Sequence, residues 1–455
     1  MLMPNSRPGR SAWRDKARAL VIAAAAILVA DAVLPLPFGT SGPSLVVAPA
    51  WADDDDDGGG GGGGGGGGIG GPDGGGGGWR APPGGGVRFN WPWSPPRQAR
   101  PAPRPILVAL VPPDVDRRRL LAAGFEVVEE RAVGVPQGRL MRLAAPARLS
   151  LEASLGRLRQ LSPGIVADRN HRYRTRYRTM SGGGATGPAF DPFALMRWPA
   201  DPACAAATRV AMIDTGLDLD HPELRDRGVV VTRVVDPRRR PAATEHGTSV
   251  ATILLRGLGG AGAGDRLIAI DAFHRRDGVD EAEAFDLVSA IDAATERGAR
   301  IVNVSVAGPD NAVLDAAGSA ASARGVIFVA AAGNDGPAAR PLYPAAYNWA
   351  IAVTAVDGRS EAYRRANRGA YIDLAAPGVG VPLPDWNGRS RLRSGTSFAA
   401  PFVTAALASY GHRLPAAAGG DSLAALAGIA RDLGPQGRDD VFGWGLPEMD
   451  RLCKS

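Results

Sequence analysis

The chain has 455 residues, 45% of them hydrophobic, enough for a substantial core and, at about 100–200 residues per domain, for two to four segments. Its formal charge of +6 comes almost wholly from arginine, since Lys16 and Lys454 are the only lysines. The arginines are scattered among acids rather than gathered on one periodic face, which argues against a nucleic-acid-binding protein; the densest run, His171 to Arg178, has aromatics suited to stacking on bases but reads as an exposed strand and linker.

At the N-terminus Arg7, Arg10, Arg14, Lys16 and Arg18 precede an apolar stretch from Ala19 to about Ala30, and Ala50-Trp51-Ala52 offers a small-residue cleavage site. Residues 1–52 therefore read as an export signal, with a periplasmic, cell-surface or secreted product. Asp31 and the prolines after it interrupt any bilayer span of about 20 apolar residues, so a membrane partner is expected only if this segment is retained. Residues 53–104 open with an aspartate run, Asp53 to Asp57, continue as near-unbroken glycine to Gly86, and end in a Pro/Trp-rich patch. Such a stretch cannot bury enough surface to fold. Its glycines match a dinucleotide fingerprint only trivially, without the flanking strand and helix.

Residues 105–174 are regular. The pattern predicts a strand over Ile106–Val111, a helix near Val115–Ala123 and strands near Phe125–Val133 and Arg139–Leu143. A helix follows with Leu151, Leu155, Leu158 and Leu161 on one face, and a last strand begins near Ile165. This β-α-β-β-α-β order fits a small ferredoxin-like α+β domain. Residues 175–199 are interrupted by glycine and proline and read as an exposed linker. From residue 200 to 455 strands and helices alternate. The readings are a strand to Ile213, a helix from His246, a strand Leu267–Ile270, a helix Glu281–Arg297, a strand Ile301–Val306, a helix Ala312–Arg324, a strand Val326–Ala330 and a helix from Ser397. Apolar strands with intervening helices predict an α/β domain, a mostly parallel sheet covered on both faces, with its site at the carboxyl ends of the strands.

Four segments of this domain carry chemistry: V-A-M-I-D-T-G ending at Gly216, E-H-G-T-S-V-A from Glu245, A-A-A-G-N-D ending at Asp335, and S-G-T-S-F-A-A-P from Ser394 to Pro401. They supply a carboxylate at a strand end, an imidazole entering a helix, an amide in a turn, and a hydroxyl at a helix start. That is the set needed for acyl transfer: Ser397 as nucleophile, His246 as base, Asp214 as its orienting acid and Asn334 as oxyanion donor. Asp214 alone would read as a turn residue, and D-T-G also occurs in aspartic peptidases, but no second D-T-G is present. Ser397 alone would read as a helix cap; Thr396 can take that role, leaving Ser397 free and its N–H directed at an anionic oxygen. His171, His274 and His412 read as surface or packing residues, and His221 as structural. A hydrolase with a nucleophile elbow is disfavoured, because G-x-S-x-G is absent.

The order and wording of the four segments, with D-L-D-H-P-E-L from Asp218 to Leu224, resemble the subtilisin family of serine peptidases over about the last 250 residues. The resemblance implies an Asp214, His246, Ser397 triad acting on polypeptide substrates with no cofactor. It also implies that residues 105–174 are an inhibitory propeptide, a partner of the catalytic domain, released by a cut within the linker. It places the two substrate-binding edges at Ser305, Val306, Ala307 and Gly308 and at Ala330, Ala331, Ala332 and Gly333. Ala307 replaces the usual glycine, a change expected to narrow the cleft. Leu342 would floor the primary pocket and favour small or medium apolar side chains. Ser249 and Phe402 stand where the family often has histidines. The glycine-rich Gly257–Asp265 stretch has few oxygen-bearing side chains, so no calcium or other metal site is predicted. Cys204 and Cys453 bracket the domain. In an exported protein a bridge between them would close a loop of about 250 residues; the alternative is two buried thiols. Two other functions remain open at this level: a peptide ligase or cyclase on the same acyl-enzyme, and an inert surface-exposed binding protein.

Overall fold

The computed structural model describes residues 104–180, 190–199, 208–259, 266–385, 387, 389–411 and 422–452. The expected export signal, the glycine-rich segment up to residue 103, Cys204, Cys453 and His412 lie outside the described residues.

Strand β1 (Ile106–Val111), helix α1 (Arg117–Ala122), β2 (Glu126–Gly134), β3 (Gln137–Ala144), α2 (Leu151–Leu161) and β4 (Val166–Arg169) form the expected ferredoxin-like unit. Its antiparallel sheet has the order β2-β3-β1-β4. Both helices start at a side-chain cap: Asp116 accepts from the N–H of Arg118 and Ser150 from that of Ala153. The unbroken apolar run of β1 is explained by burial on both faces. Leu107, Ala109 and Val111 pack with Leu120, Leu155 and Leu158 under the domain's own helices. Val108 and Leu110 turn the other way, into a core shared with Phe285, Val288 and Val313 of the larger domain.

The chain continues through β5 (Arg172–Arg174), β6 (Arg178–Met180), β7 (Val210–Asp214), β8 (Val230–Arg233), α3 (Glu245–Leu258), β9 (Leu267–Asp271), β10 (His274–Arg276), β11 (Val279–Glu283) and α4 (Ala284–Glu296). It then forms β12 (Ile301–Val304), α5 (Ala312–Ala323), β13 (Ile327–Ala331), β14 (Ala350–Val356), β15 (Leu374–Pro377), β16 (Val381–Pro384), β17 (Ser390–Ser394) and α6 (Thr396–Tyr410). Seven strands make a parallel sheet in the order β15-β14-β13-β12-β7-β9-β8. Met212, Ala269, Val329 and Val353 pack on one face with α3 and α6. Ala211, Ile213, Val302, Phe328 and Ala352 pack on the other with α4 and α5. Burial on both faces accounts for the lack of alternation in these strands.

Two expectations are corrected. The helix expected from Glu281 starts at Ala284, because Glu281, Ala282 and Glu283 pair with Arg174, Tyr173 and Arg172 of β5. The run His171–Arg178, expected as an exposed strand and linker, keeps its four arginines exposed but is paired into the fold. Tyr173 is fully buried, and the chain beyond it pairs with β17, Arg178 opposite Ser394 and Met180 opposite Leu392.

A charged cluster joins the two domains. The buried guanidinium of Arg142 on β3 meets Glu129 at 2.7 Å, Glu283 at 3.0 Å and Asp286 at 3.3 Å, and lies 4.5 Å over the ring of Phe285. Arg239 also reaches Glu283, at 3.2 Å. Burial pushes the Asp286 carboxyl up to about 7, with Arg142 pulling the other way. Beside the cluster, Oδ1 of Asp292 accepts the N–H groups of Gly134 and Val135 at 2.8 and 2.9 Å.

Candidate active site

Asp214 ends β7 and is fully buried. Its Oδ1 accepts the N–H of Thr215 at 2.7 Å and lies 2.7 Å from Nδ1 of His246, the second residue of α3. A carboxylate oxygen only accepts, so Nδ1 carries the hydrogen and Nε2 is the free base. Gly247 makes this approach possible. A Cβ there would sit 2.5 Å from the carbonyl oxygen of Thr215 and 2.8 Å from that of Gly216, while its N–H donates to Thr215 Oγ1 at 2.9 Å. The glycine of H-G-T and the threonine of D-T-G thus fit each other.

Ser397 is the second residue of α6. A buried polar chain holds this helix on β12: Thr404 Oγ1 donates to Asn303 Oδ1 at 3.0 Å, Asn303 Nδ2 to Ser305 Oγ at 2.9 Å, and Ser305 Oγ to the carbonyl of Ser397 at 2.9 Å. Thr396 is not the cap. Gly395 occupies that position, and Thr396 Oγ1 instead accepts the N–H of Gly333 at 3.1 Å. The N–H of Thr396 donates to Asn334 Oδ1 at 3.0 Å, which turns the amide so that Nδ2 donates to the carbonyl of Arg176. Ser397 Oγ and His246 Nε2 are buried with no hydrogen-bond partner among the described residues.

The structure therefore brings Asp214 and His246 into contact and sets Ser397 and Asn334 around a peptide carbonyl of the chain itself. Upstream, Arg174 and Ala307 exchange backbone hydrogen bonds of 3.0 and 3.1 Å, so the methyl of Ala307 does not prevent a strand from seating. Downstream, the ring of Tyr177 lies 5.0 Å from that of His246 and 5.6 Å from that of Phe398. Of the two expected edges, Ser305–Gly308 meets this strand at Ala307, while Val306 is core. The second edge is engaged within the fold. Ala330 and Ala331 belong to the ladder between β12 and β14, the N–H of Ala332 donates to Val353 and its carbonyl accepts from Tyr371 Oη. Gly333, at φ +108°, lies against Leu342, whose Cδ1 would be 2.6 Å from a Cβ there.

Sequence reasoning missed Arg176 and Tyr177, and the role of Asn303 and Thr404. The second pair had a signal: polar side chains inside otherwise apolar elements require buried partners. Among the described residues no three His, Cys, Asp or Glu side chains are grouped as a metal site, and no helix is long and apolar enough to cross a membrane.

The model of the subtilase family matches residues 205–445, more than half of the chain. The thermophilic serine proteinase of Bacillus sp. (strain AK1) is 34% identical over 219 residues, covering 46% of this chain and 53% of that protein. The major intracellular serine protease of Bacillus subtilis (strain 168) is 32% identical over 215 residues, covering 44% of this chain and 67% of that protein. The chain thus spans about half the length of the first of these relatives. Fervidolysin from Fervidobacterium pennivorans, described as a keratinolytic enzyme related to subtilisin, shares the fold with a TM-score of 0.61 at 22% identity, over 79% of this chain and 62% of that one. Since the matched stretch holds the parallel sheet and all four chemistry-bearing segments, the chain belongs to the subtilase family.

Proposed function

We propose that this protein is an exported serine endopeptidase made as a self-inhibited zymogen, with residues 105–174 as inhibitory domain and residues 200–455 as catalytic domain. One observation carries the reading: the carbonyl oxygen of Arg176 is held by Nδ2 of Asn334 and shares the space at Gly395 with the Ser397 hydroxyl, which, like His246 Nε2, has no hydrogen-bond partner among the described residues. Ser397 Oγ attacks a substrate carbonyl and its proton passes to His246 Nε2. Asp214 holds the opposite ring nitrogen and stabilises the imidazolium. Asn334 donates to the oxygen as it gains charge. His246 then protonates the leaving amine, and water releases the acyl group from Ser397. Subtilisin is itself a standard instance of this cycle. No cofactor enters the scheme. Polypeptide substrates are supported by the edge at Ala307, which binds an extended strand through its backbone. Self-inhibition is supported by the chain segment lying through the site, and export by the basic and apolar N-terminal sequence.

The test uses full-length protein allowed to mature. A fluorophosphonate probe is expected to label it at Ser397 and casein to be hydrolysed, both lost in Ser397→Ala. Casein hydrolysis that survives Ser397→Ala overturns the reading.

A further inference from the structure

The register of residues 173–180 in the site indicates which bond is addressed. Arg174 is fixed to Ala307 on one side, and Arg178–Met180 to Ser394–Leu392 on the other, so the intervening residues are drawn across Ser397. The position of the carbonyl can be read at Gly395. A Cβ built there would lie 3.3 Å from the Arg176 carbonyl oxygen, 3.4 Å from Asn334 Nδ2 and 3.4 Å from Ser397 Oγ. The carbonyl oxygen, its donor and the attacking hydroxyl thus surround one point. A nucleophile attacks the carbon whose oxygen the oxyanion donor holds, and that carbon belongs to Arg176.

The flanking side chains are held selectively. Arg176 Nη1 pairs with Asp335 Oδ1 at 2.7 Å, next in sequence to Asn334, with both side chains partly open to solvent. Tyr173, three residues earlier, is fully buried, and its hydroxyl donates to the carbonyl of Pro309 at 3.0 Å. The space it fills exists because Gly308 has no side chain; a Cβ there would come within 2.5 Å of the ring.

We infer that the Arg176–Tyr177 bond is the first bond this enzyme cuts, in its own chain, and that the same contacts define its substrates as peptides with arginine before the cut. This rests on the serine-peptidase reading above. In the reaction Ser397 Oγ bonds to the carbonyl carbon of Arg176 and the bond to the nitrogen of Tyr177 breaks. The serine proton passes through His246 to that nitrogen. Water then cleaves the ester, leaving a carboxylate on Arg176 and a free amine on Tyr177. The small or medium apolar preference expected from Leu342 gives way to arginine, whose guanidinium turns to Asp335.

The full-length chain is followed by intact mass and N-terminal sequencing during maturation, beside Ser397→Ala. The first new N-terminus is expected at Tyr177, and the Ser397→Ala chain is expected to stay whole. Matured enzyme is then given peptides of the sequence Tyr-Arg-Thr-Arg-Tyr-Arg and analogues with alanine or glutamate at the second arginine. The arginine peptide is expected to be cut several-fold faster, and Asp335→Arg to lower that preference by about two- to fivefold, the range for a partly exposed ion pair. Fluorophosphonate labelling of Ser397 is measured in every sample. If Ser397 is labelled but the first N-terminus is not Tyr177, or the arginine preference is unmoved by Asp335→Arg, the inference falls and the peptidase reading stands. Absence of both labelling and cleavage overturns both.

Discussion

Asn334 works with both ends of its amide. Its oxygen is occupied by the N–H of Thr396, so its nitrogen can only face the carbonyl in the cleft. Asn334→Ala is expected to lower kcat of the matured enzyme by about 10² to 10³, the loss known from subtilisin itself, with little change in KM. Initial-rate curves on a peptide substrate check this; a change in KM alone would contradict it. Gly247 shows a different kind of necessity. The methyl of Gly247→Ala would press on the carbonyls of Thr215 and Gly216, so α3 must shift and draw His246 from Asp214. The expected cost is about 1–3 kcal/mol by urea unfolding, with a fall in activity beyond what the unfolded fraction explains. That a glycine follows His246 was legible in the sequence. That it is the contact with Thr215 that forbids a side chain was not, because those residues are apart in the chain and meet only in the fold.

Helix α6 positions Ser397, the nucleophile of the proposed reaction, and β12 positions α6. Thr404→Val keeps the shape of the side chain but leaves Asn303 Oδ1 buried without its donor, at an expected cost of about 1–3 kcal/mol in urea unfolding. The junction between domains depends in the same way on Arg142. Arg142→Met removes the cation shared by Glu129, Glu283 and Asp286, and breaking a buried charge pair from one side costs about 3–5 kcal/mol. The Ser397→Ala chain, which keeps its inhibitory domain under the proposed function, is the background for this measurement. Its thermal transition is expected to fall when Arg142→Met is added. The β-α-β-β-α-β order was readable from periodicity, whereas the start of α4 was misplaced. Glu281–Glu283 are good helix formers that β5 recruits into a strand. Tertiary pairing outweighed local propensity there.

Over the whole molecule the charge clusters also set a pH response. Burial lowers His274 to about 4, and Arg239 Nη1 donates to its ring at 3.2 Å, which requires a neutral imidazole. In the unfolded chain the same group titrates near 6.5. The unfolded state therefore takes up a proton first, so the stabilisation tied to neutral His274 is complete above pH 6.5 and is lost as the pH falls from 6.5 towards 4. Asp286, raised to about 7, has the opposite sign: its contribution is complete below the ordinary aspartate range and is lost as the pH rises to 7. Urea unfolding of the Ser397→Ala chain with and without His274→Gln separates the two, since Asp286 is present in both. The variant is expected to lose less stability between pH 6.5 and 4 than its parent.

By itself the sequence determined the α/β class, the order of the elements in the small domain, four of the seven strands of the parallel sheet, and the four segments whose side chains suit acyl transfer. Those properties are local: runs of apolar residues, turn glycines, and functional groups placed just after strands or at helix starts. The tertiary structure decided where the segment after the small domain goes. An alternating run such as Tyr173-Arg174-Thr175-Arg176-Tyr177 declares that it can be extended but not which edge it will join, because strand pairing is made through backbone groups that every residue carries. In the fold that edge is Ala307 on one side and β17 on the other, and between them the chain presents Arg176 to Asn334.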